Sequence, residues 1–165
     1  MSKVEDFLKE AFAGESQANR KYLAFAAKAD KEGHPQVARL FRAAAEAETI
    51  HAHNHLRALK GIGNTAENLE AAIAGETHEF THMYPEMIDA AKAEGNKEAE
   101  KTFSYANDVE KVHAALYQKL LASLGATQEN QPYHVCPLCG YTAEGAPPDN
   151  CPVCGAKGKM FKKID

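Results

Sequence analysis

The sequence predicts an all-α four-helix bundle followed by a small metal-stapled β/loop domain, and three observations support this prediction. Up to about residue 124, apolar residues recur every three or four positions and helix-breaking residues are few. Within that segment, a glutamate followed about one helix later by Glu-x-x-His occurs twice. All four cysteines lie between residues 136 and 154, as two Cys-x-x-Cys pairs.

Glycine, proline and asparagine interrupt the helical period at three places, so four helices are expected. The interruptions are Gly33-His34-Pro35, residues 61–64 and Glu94-Gly95-Asn96. Glycine suits the end of a helix and proline the start of the next. The expected helices span residues 3–31, 36–60, 66–94 and 97–124. Because the pair of long helices repeats, the bundle is expected to be a duplicated hairpin.

A polar segment separates this bundle from the C-terminal part of the chain. We assign residues 1–125 to the bundle, 126–132 to a linker and 133–165 to a four-cysteine domain. The last segment contains proline, glycine and cysteine at a density that excludes a long helix. It is too short to bury a core of its own, so we expect a bound metal to hold it together.

Composition narrows the possible functions. The 165-residue chain has a formal net charge of −4, so no basic surface is expected for nucleic acid or membrane lipid. The N-terminal residues include no apolar run long enough for a signal peptide or a membrane span. We therefore expect a cytoplasmic protein, in which clustered cysteines indicate metal binding before disulfides.

The repeated glutamate motif indicates a site for two metal ions inside the bundle. Glu15 precedes Glu48-Thr-Ile-His51 by 33 residues, and Glu76 precedes Glu110-Lys-Val-His113 by 34. Each Glu-x-x-His places a carboxylate and an imidazole on one helix face, and ferritin-like dinuclear carboxylate proteins use this ligand set. These glutamates interrupt apolar stripes, where an unpaired charge costs several kcal/mol. Bound cations would remove that cost.

Glu79 and two tyrosines extend the candidate site. Glu79 lies one turn after Glu76, whereas the equivalent position of the first helix is Ala18. Glu79 is either a surface charge at the rim or a seventh ligand used in one redox state. Charge balance favours the ligand, because five carboxylates suit a differic centre. Tyr22 and Tyr84, about two turns after the lone glutamates, are either core aromatics or supports for the ligand carboxylates, and we favour the second role.

The cysteines form two matched knuckles, Cys136-Pro-Leu-Cys139-Gly140 and Cys151-Pro-Val-Cys154-Gly155. The glycine after each second cysteine permits a tight turn that points backbone N–H groups at sulfur. Four thiolates specify a metal site but fit both zinc and iron. Structural zinc is the commoner use of this spacing. The redox-active ions expected in the bundle favour iron, which can relay single electrons.

Together, these motifs resemble those of the rubrerythrin family, which joins a ferritin-like di-iron bundle to a C-terminal rubredoxin-like domain. The resemblance covers essentially the whole chain. It implies that His51 exchanges with Glu79 on one iron as the oxidation state changes, and that Tyr22 and Tyr84 support the ligands. The implied iron ligands are Glu15, Glu48, Glu76, Glu79, Glu110 and His113 in the dinuclear site, and Cys136, Cys139, Cys151 and Cys154 in the rubredoxin-like site.

The resemblance also implies an activity. Such a protein would be a non-haem di-iron peroxidase that reduces hydrogen peroxide to water in oxidative-stress defence. Electrons would come from rubredoxin or an NAD(P)H-dependent reductase and pass through the four-cysteine iron. In the family the tail of one chain approaches the bundle of another, so we expect a homodimer, with exchange of helix pairs as one arrangement. Two alternatives stay open: an iron-handling ferroxidase of ferritin type, and a structural protein with zinc in its sites.

Overall fold

The structure, a computed structural model, describes residues 2–126 and 130–164. Residues 127–129 of the expected linker, and residues 1 and 165 at the ends of the expected domains, lie outside the described residues. The chain divides into two compact units, one ending at Gly63 and the other beginning at Asn64. Within the described ranges, no helix combines the length and the apolar character needed to cross a membrane.

The first unit is a pair of helices, α1 (Lys3–Lys31) and α2 (Pro35–Ala58). The Ser2 hydroxyl accepts a hydrogen bond from the Glu5 amide and so caps α1. Gly33 lies in the connection with φ of +79°, a conformation that glycine adopts without strain. Alanines form much of the buried contact between the helices, and Phe41 packs against one such cluster. Small side chains therefore let the two helices approach closely.

The second unit begins with three consecutive helical segments and a longer helix. These are α3 (Thr65–His78), a π-helix (Glu79–Met83), α4 (Tyr84–Ala93) and α5 (Lys97–Ala122). Asn64 and Glu67 form a reciprocal capping box at the start of α3. The helix expected over residues 66–94 is therefore continuous but changes its hydrogen-bond register in the middle. The Tyr84 amide bonds to the Glu79 carbonyl, and Pro85 has no amide hydrogen to continue the α-helical pattern.

The four-cysteine domain follows α5 in the same unit. Its strands are β1 (Tyr133–Val135), β2 (Thr142–Glu144) and β3 (Lys162–Ile164), in the order β2-β1-β3 with both pairs antiparallel. Its buried cluster is made of Cys136, Cys151 and Ala156. Three short strands and so few buried side chains agree with the expectation that metal binding holds this domain together. The predicted fold class, a helical bundle followed by a small four-cysteine domain, is confirmed.

Candidate metal centres

The first ligand group consists of Glu15 on α1 and of Glu48 and His51 on α2. The His51 Nδ1 atom lies 2.8 Å from Glu48 Oε2 and 3.9 Å from Glu15 Oε1. One ligand atom of each residue lies within 4.8 Å of the other two. The structure thus brings together the three residues that the sequence motif selects in this unit, and they can reach one metal ion.

A buried asparagine fixes the two helices beside the first ligand group. The Asn19 side chain is 7% exposed, and its Nδ2 donates to the Ala45 carbonyl at 2.7 Å and to Thr49 Oγ1 at 2.8 Å. Asn19 lies one turn after Glu15, and Thr49 follows Glu48 in sequence. These hydrogen bonds therefore fix the position of the Glu15 carboxylate relative to that of Glu48. The sequence analysis did not select Asn19, because an asparagine within a long helix is ordinarily exposed.

The second ligand group repeats the geometry of the first, with Glu76 on α3 and with Glu110 and His113 on α5. The His113 Nδ1 atom lies 2.7 Å from Glu110 Oε2 and 3.8 Å from Glu76 Oε1. The side chains are 16% to 27% exposed, so this group is more buried than His51, which is 52% exposed. The two Glu-x-x-His motifs thus build two matching clusters.

The acidic residues of the second unit repel one another in the absence of a cation. Burial raises the pKa of Glu76 from 4.5 to about 7, with further contributions from a hydrogen bond to Glu110 and from the charges of Glu110 and Glu79. Burial and the charge of Glu110 also raise the pKa of Glu79. Because a divalent cation would replace the missing protons, this donor set fits a metal ion.

Glu79 begins the π-helix and lies beside the second ligand group. Its carboxylate is not among the ligand atoms that approach within 4.8 Å of one another, but the charge of Glu110 is close enough to raise its pKa. The π-helix carbonyl of Phe80 accepts a hydrogen bond from the side-chain amide nitrogen of Asn107 of α5 at 3.0 Å. The irregular turn that carries Glu79 is therefore held by a neighbouring helix. Such π-turns are frequent at functional sites.

The tyrosines occupy two different environments. Burial, followed by the charges of Glu79 and its neighbours, raises the pKa of Tyr84, so this hydroxyl lies near the acidic cluster. Tyr22 packs its ring against Phe25 and Phe41 at centroid distances of 6.3 and 6.0 Å. Tyr117 also has a raised pKa, caused by burial and by the charges of the second ligand group. The sequence analysis missed Tyr117, because its position one turn after the Glu-x-x-His also fits a core stripe.

The four cysteines converge on a single point. The Sγ atoms of Cys136 and Cys154 lie 3.5 Å apart, as do those of Cys139 and Cys151. All four sulfurs lie within 4.8 Å of one another, and no disulfide joins them. Gly140 and Gly155 adopt φ of +85° and +76°, as the knuckle motif requires. This arrangement fits one tetrahedral metal ion.

The protonation of these thiols also indicates a cation. Burial raises the pKa of Cys139 well above its usual range, and the neighbouring thiols add to the effect. Burial opposes ionisation of Cys136 as well, but hydrogen bonds from the Leu138 and Cys139 amides and from neighbouring thiols lower its pKa to about 7. Without a metal, therefore, the cluster cannot hold four thiolates. A bound ion would deprotonate them.

The four-cysteine domain contacts α5 of its own chain at the second ligand group. The His113 Nε2 atom lies 2.9 Å from Thr142 Oγ1, and that hydroxyl donates to the Gly140 carbonyl at 3.2 Å. Lys119 on α5 forms an ion pair with Glu144 on β2. This contact is made within one chain, and the expectation that the tail also approaches a bundle across a dimer stays a prediction. Nothing in the sequence pattern identified Thr142, which is 29 residues from His113.

Comparison with protein-family models agrees with both parts of the chain. The model described as Rubrerythrin matches residues 6–121. The model described as the rubredoxin-like domain of rubrerythrin matches residues 134–162. These ranges contain all seven candidate ligands of the helical segment and all four cysteines.

Individual relatives are similar over most of the chain. Rubrerythrin-2 of Clostridium acetobutylicum is 39% identical over 155 residues, covering 82% of this chain and 83% of the relative. Rubrerythrin of Porphyromonas gingivalis is 41% identical over 157 residues, covering 85% and 78%. Among solved structures, the fully reduced, all-ferrous state of nigerythrin aligns with a TM-score of 0.61 at 32% identity, covering 99% of this chain and 88% of the other.

Proposed function

The chain belongs to the rubrerythrin family, and on that premise we propose that it is a peroxidase that reduces hydrogen peroxide to water. Family membership and the two kinds of metal-ligand cluster support an oxidoreductase with a di-iron centre and a rubredoxin-type iron site. The observation that carries the proposal is the contact between the two metal-binding parts, where Thr142 of the four-cysteine domain meets His113. A storage protein has no need of this contact.

The ligand groups define which residues would hold the metals. When bound, the two irons would supply two electrons and Lewis-acid assistance for breaking the O–O bond, so that peroxide, two electrons and two protons give two waters. Cys136, Cys139, Cys151 and Cys154 would hold a third iron. The ligands of the dinuclear site would be Glu15, Glu48, His51, Glu76, Glu79, Glu110 and His113. The all-ferrous nigerythrin structure supports iron in these sites.

We assign the remaining catalytic roles to two exchanging ligands and two tyrosines that orient ligand carboxylates. Glu79 and His51 would exchange on one metal as the oxidation state changes. The exposure of His51, at 52%, is consistent with a side chain that leaves its ligand position. The Tyr84 hydroxyl, close to the acidic cluster, would orient a ligand carboxylate. We propose the same role for Tyr22 at the first ligand group.

Exposed apolar residues support our proposals for the electron donor and the assembly. We propose rubredoxin or an NAD(P)H-dependent reductase as the donor in the cytoplasm. Leu138, between two cysteine ligands, is 62% exposed and offers an apolar contact for such a partner. We also propose a homodimer, with exchange of helix pairs as one arrangement. Leu40 and Ile50 on α2 support it, since they are 68% and 54% exposed and apolar side chains on a helix face favour association.

Rapid mixing tests the peroxidase proposal directly. The fully reduced iron-loaded protein is mixed with hydrogen peroxide or with dioxygen in a stopped-flow instrument, and reoxidation of the di-iron site is followed by absorbance. We expect faster reoxidation by peroxide. Equal or slower reoxidation by peroxide would contradict the proposal and favour an iron-handling role. The red colour of a ferric four-cysteine site, absent from an all-zinc protein, confirms that the sample contains iron.

A further inference from the structure

We propose that Thr142 of the four-cysteine domain is a positioning residue for His113, and that it makes metal binding in one site depend on metal binding in the other. The inference rests on the proposed function only in taking His113 as a metal ligand. It does not depend on peroxide chemistry. The two candidate sites would be coupled through one hydroxyl group, within the second unit of one chain.

The directions of the hydrogen bonds assign the role of each His113 nitrogen. The Thr142 hydroxyl donates its proton to the Gly140 carbonyl at 3.2 Å. Its oxygen is therefore the acceptor in the 2.9 Å contact with His113, and Nε2 carries the hydrogen. The other nitrogen, Nδ1, lies 2.7 Å from Glu110 Oε2 and 3.8 Å from Glu76 Oε1, and the proton that it shares with Glu110 is the one that a bound cation would displace. Thr142 thus selects the tautomer and ring orientation that a metal ligand requires.

Among residues 2–63, the first ligand group has no equivalent support. The His51 Nδ1 atom has the same relation to Glu48 as His113 has to Glu110. However, its Nε2 atom has no hydrogen-bond partner among residues 2–63, and the side chain is 52% exposed. The two Glu-x-x-His motifs therefore differ in one respect: His113 has a hydroxyl partner within its own unit, and His51 has none among residues 2–63.

The position of Thr142 beside His113 depends on the folding of the four-cysteine domain. Gly140 directly follows the ligand Cys139, and its left-handed φ of +85° belongs to the knuckle that surrounds the sulfur cluster. The ion pair between Lys119 and Glu144 holds β2 on α5. Because a domain with so small a core folds around its metal, metal in the cysteine site should raise metal affinity at His113. By linkage, the effect is reciprocal.

A metal titration tests the inference without any turnover. The full chain is preloaded with Zn²⁺ in the cysteine site and titrated with Co²⁺ in a calorimeter. We expect Thr142→Val to weaken Co²⁺ binding at one position by about 10- to 100-fold, as for other outer partners of histidine ligands. Thr142→Ser, which keeps the hydroxyl, should restore nearly wild-type affinity. Ser104→Ala is the control, because it removes an α5 hydroxyl that bonds only to its own helix. Equal affinities in wild type and Thr142→Val, or equal losses in both Thr142 variants, would overturn the proposal.

A double-mutant cycle separates coupling from local damage. Cys136→Ser prevents complete metal loading of the four-cysteine domain, and in that background Thr142→Val should have little further effect on Co²⁺ binding. A full, additive loss there would show that Thr142 acts without the folded domain and would refute the coupling.

Nuclear magnetic resonance of histidine-labelled, zinc-loaded protein gives an independent readout of the contact. The His113 Nε2 proton should exchange slowly with water in wild type and Thr142→Ser, and rapidly in Thr142→Val. Rapid exchange in wild type would rule out the contact. Because neither readout uses peroxide, failure of the peroxidase assignment would leave these results unaffected, and the stopped-flow comparison of peroxide with dioxygen tests that assignment separately.

Discussion

At the scale of single residues, the feature that most destabilises the metal-free fold is a set of carboxylates removed from water and placed beside one another. Glu76 and Glu110 are 20% and 16% exposed, and each lies within 4 Å of the same imidazole nitrogen. Repulsion and burial leave the metal-free cluster two ways to lower its energy, by taking up a proton or by binding a cation. The raised pKa of Glu76 shows the first way, and the ligand geometry provides the second.

This competition makes the stability of the metal-free protein depend on pH. The pKa of Glu76 rises from 4.5 in the unfolded chain to about 7 in the folded protein. The folded state therefore binds more protons in this window, so its stability falls as pH rises through it. We expect metal-free wild type to unfold at lower urea concentration at about pH 8 than at about pH 5. Glu76→Gln should reduce that difference.

Glu98→Gln is the matched control, because Glu98 is exposed on α5 and away from the ligand groups. It should retain the pH dependence of the wild type. The expectation fails if Glu76→Gln and wild type lose the same stability between the two pH values. Saturating Zn²⁺ should also diminish the dependence, since the bound ion takes the place of the proton.

At the scale of secondary-structure elements, the π-helix is the feature that distinguishes the second pair of helices from the first. Thr81 of the π-helix donates to the Thr77 carbonyl of α3 at 2.6 Å, and the Asn107 side chain of α5 bonds to the Phe80 carbonyl. The periodicity of apolar residues predicted the surrounding helix because that pattern is local. It did not predict the change of hydrogen-bond register, because apolar spacing reports which face of the helix is buried and not which carbonyl each amide bonds to. Pro85 was its one local sign.

Glu79 lies at the start of this irregular turn, and its proposed role can be tested by truncation. We expect Glu79→Ala to slow peroxide turnover at least about tenfold, because a group that exchanges ligands or protons during the reaction is lost. The variant should remain folded, since removal of one carboxylate relieves repulsion with Glu110. Steady-state peroxidase rates and far-ultraviolet circular dichroism measure the two effects. Glu86→Ala, which truncates an exposed glutamate on α4, is the control. Unchanged turnover would return Glu79 to the role of a surface charge.

At the scale of the whole molecule, the sequence predicted the metal-ligand motifs, but it did not predict the contact between the four-cysteine domain and the second ligand group. Each Glu-x-x-His and each cysteine knuckle is specified within a few residues, so the motifs could be identified without a structure. The contact between Thr142 and His113 depends on how β2 lies on α5, which no local pattern encodes. Asn19 and Tyr117 were missed for a related reason, because burial rather than residue type gives them their roles.

The separation of the two kinds of site predicts that electron delivery and peroxide chemistry can be uncoupled. Cys154→Ser removes one of four thiolates and should abolish the rubredoxin-type iron site. We expect steady-state turnover with a protein electron donor to be lost. When its dinuclear site has been reduced chemically beforehand, the Cys154→Ser variant should still reduce one equivalent of peroxide, because the carboxylate and histidine ligands are intact. Any slowing should match that of Thr142→Val, since both changes remove the support of His113. Steady-state turnover at the wild-type rate would show that electrons reach the dinuclear site without the four-cysteine domain.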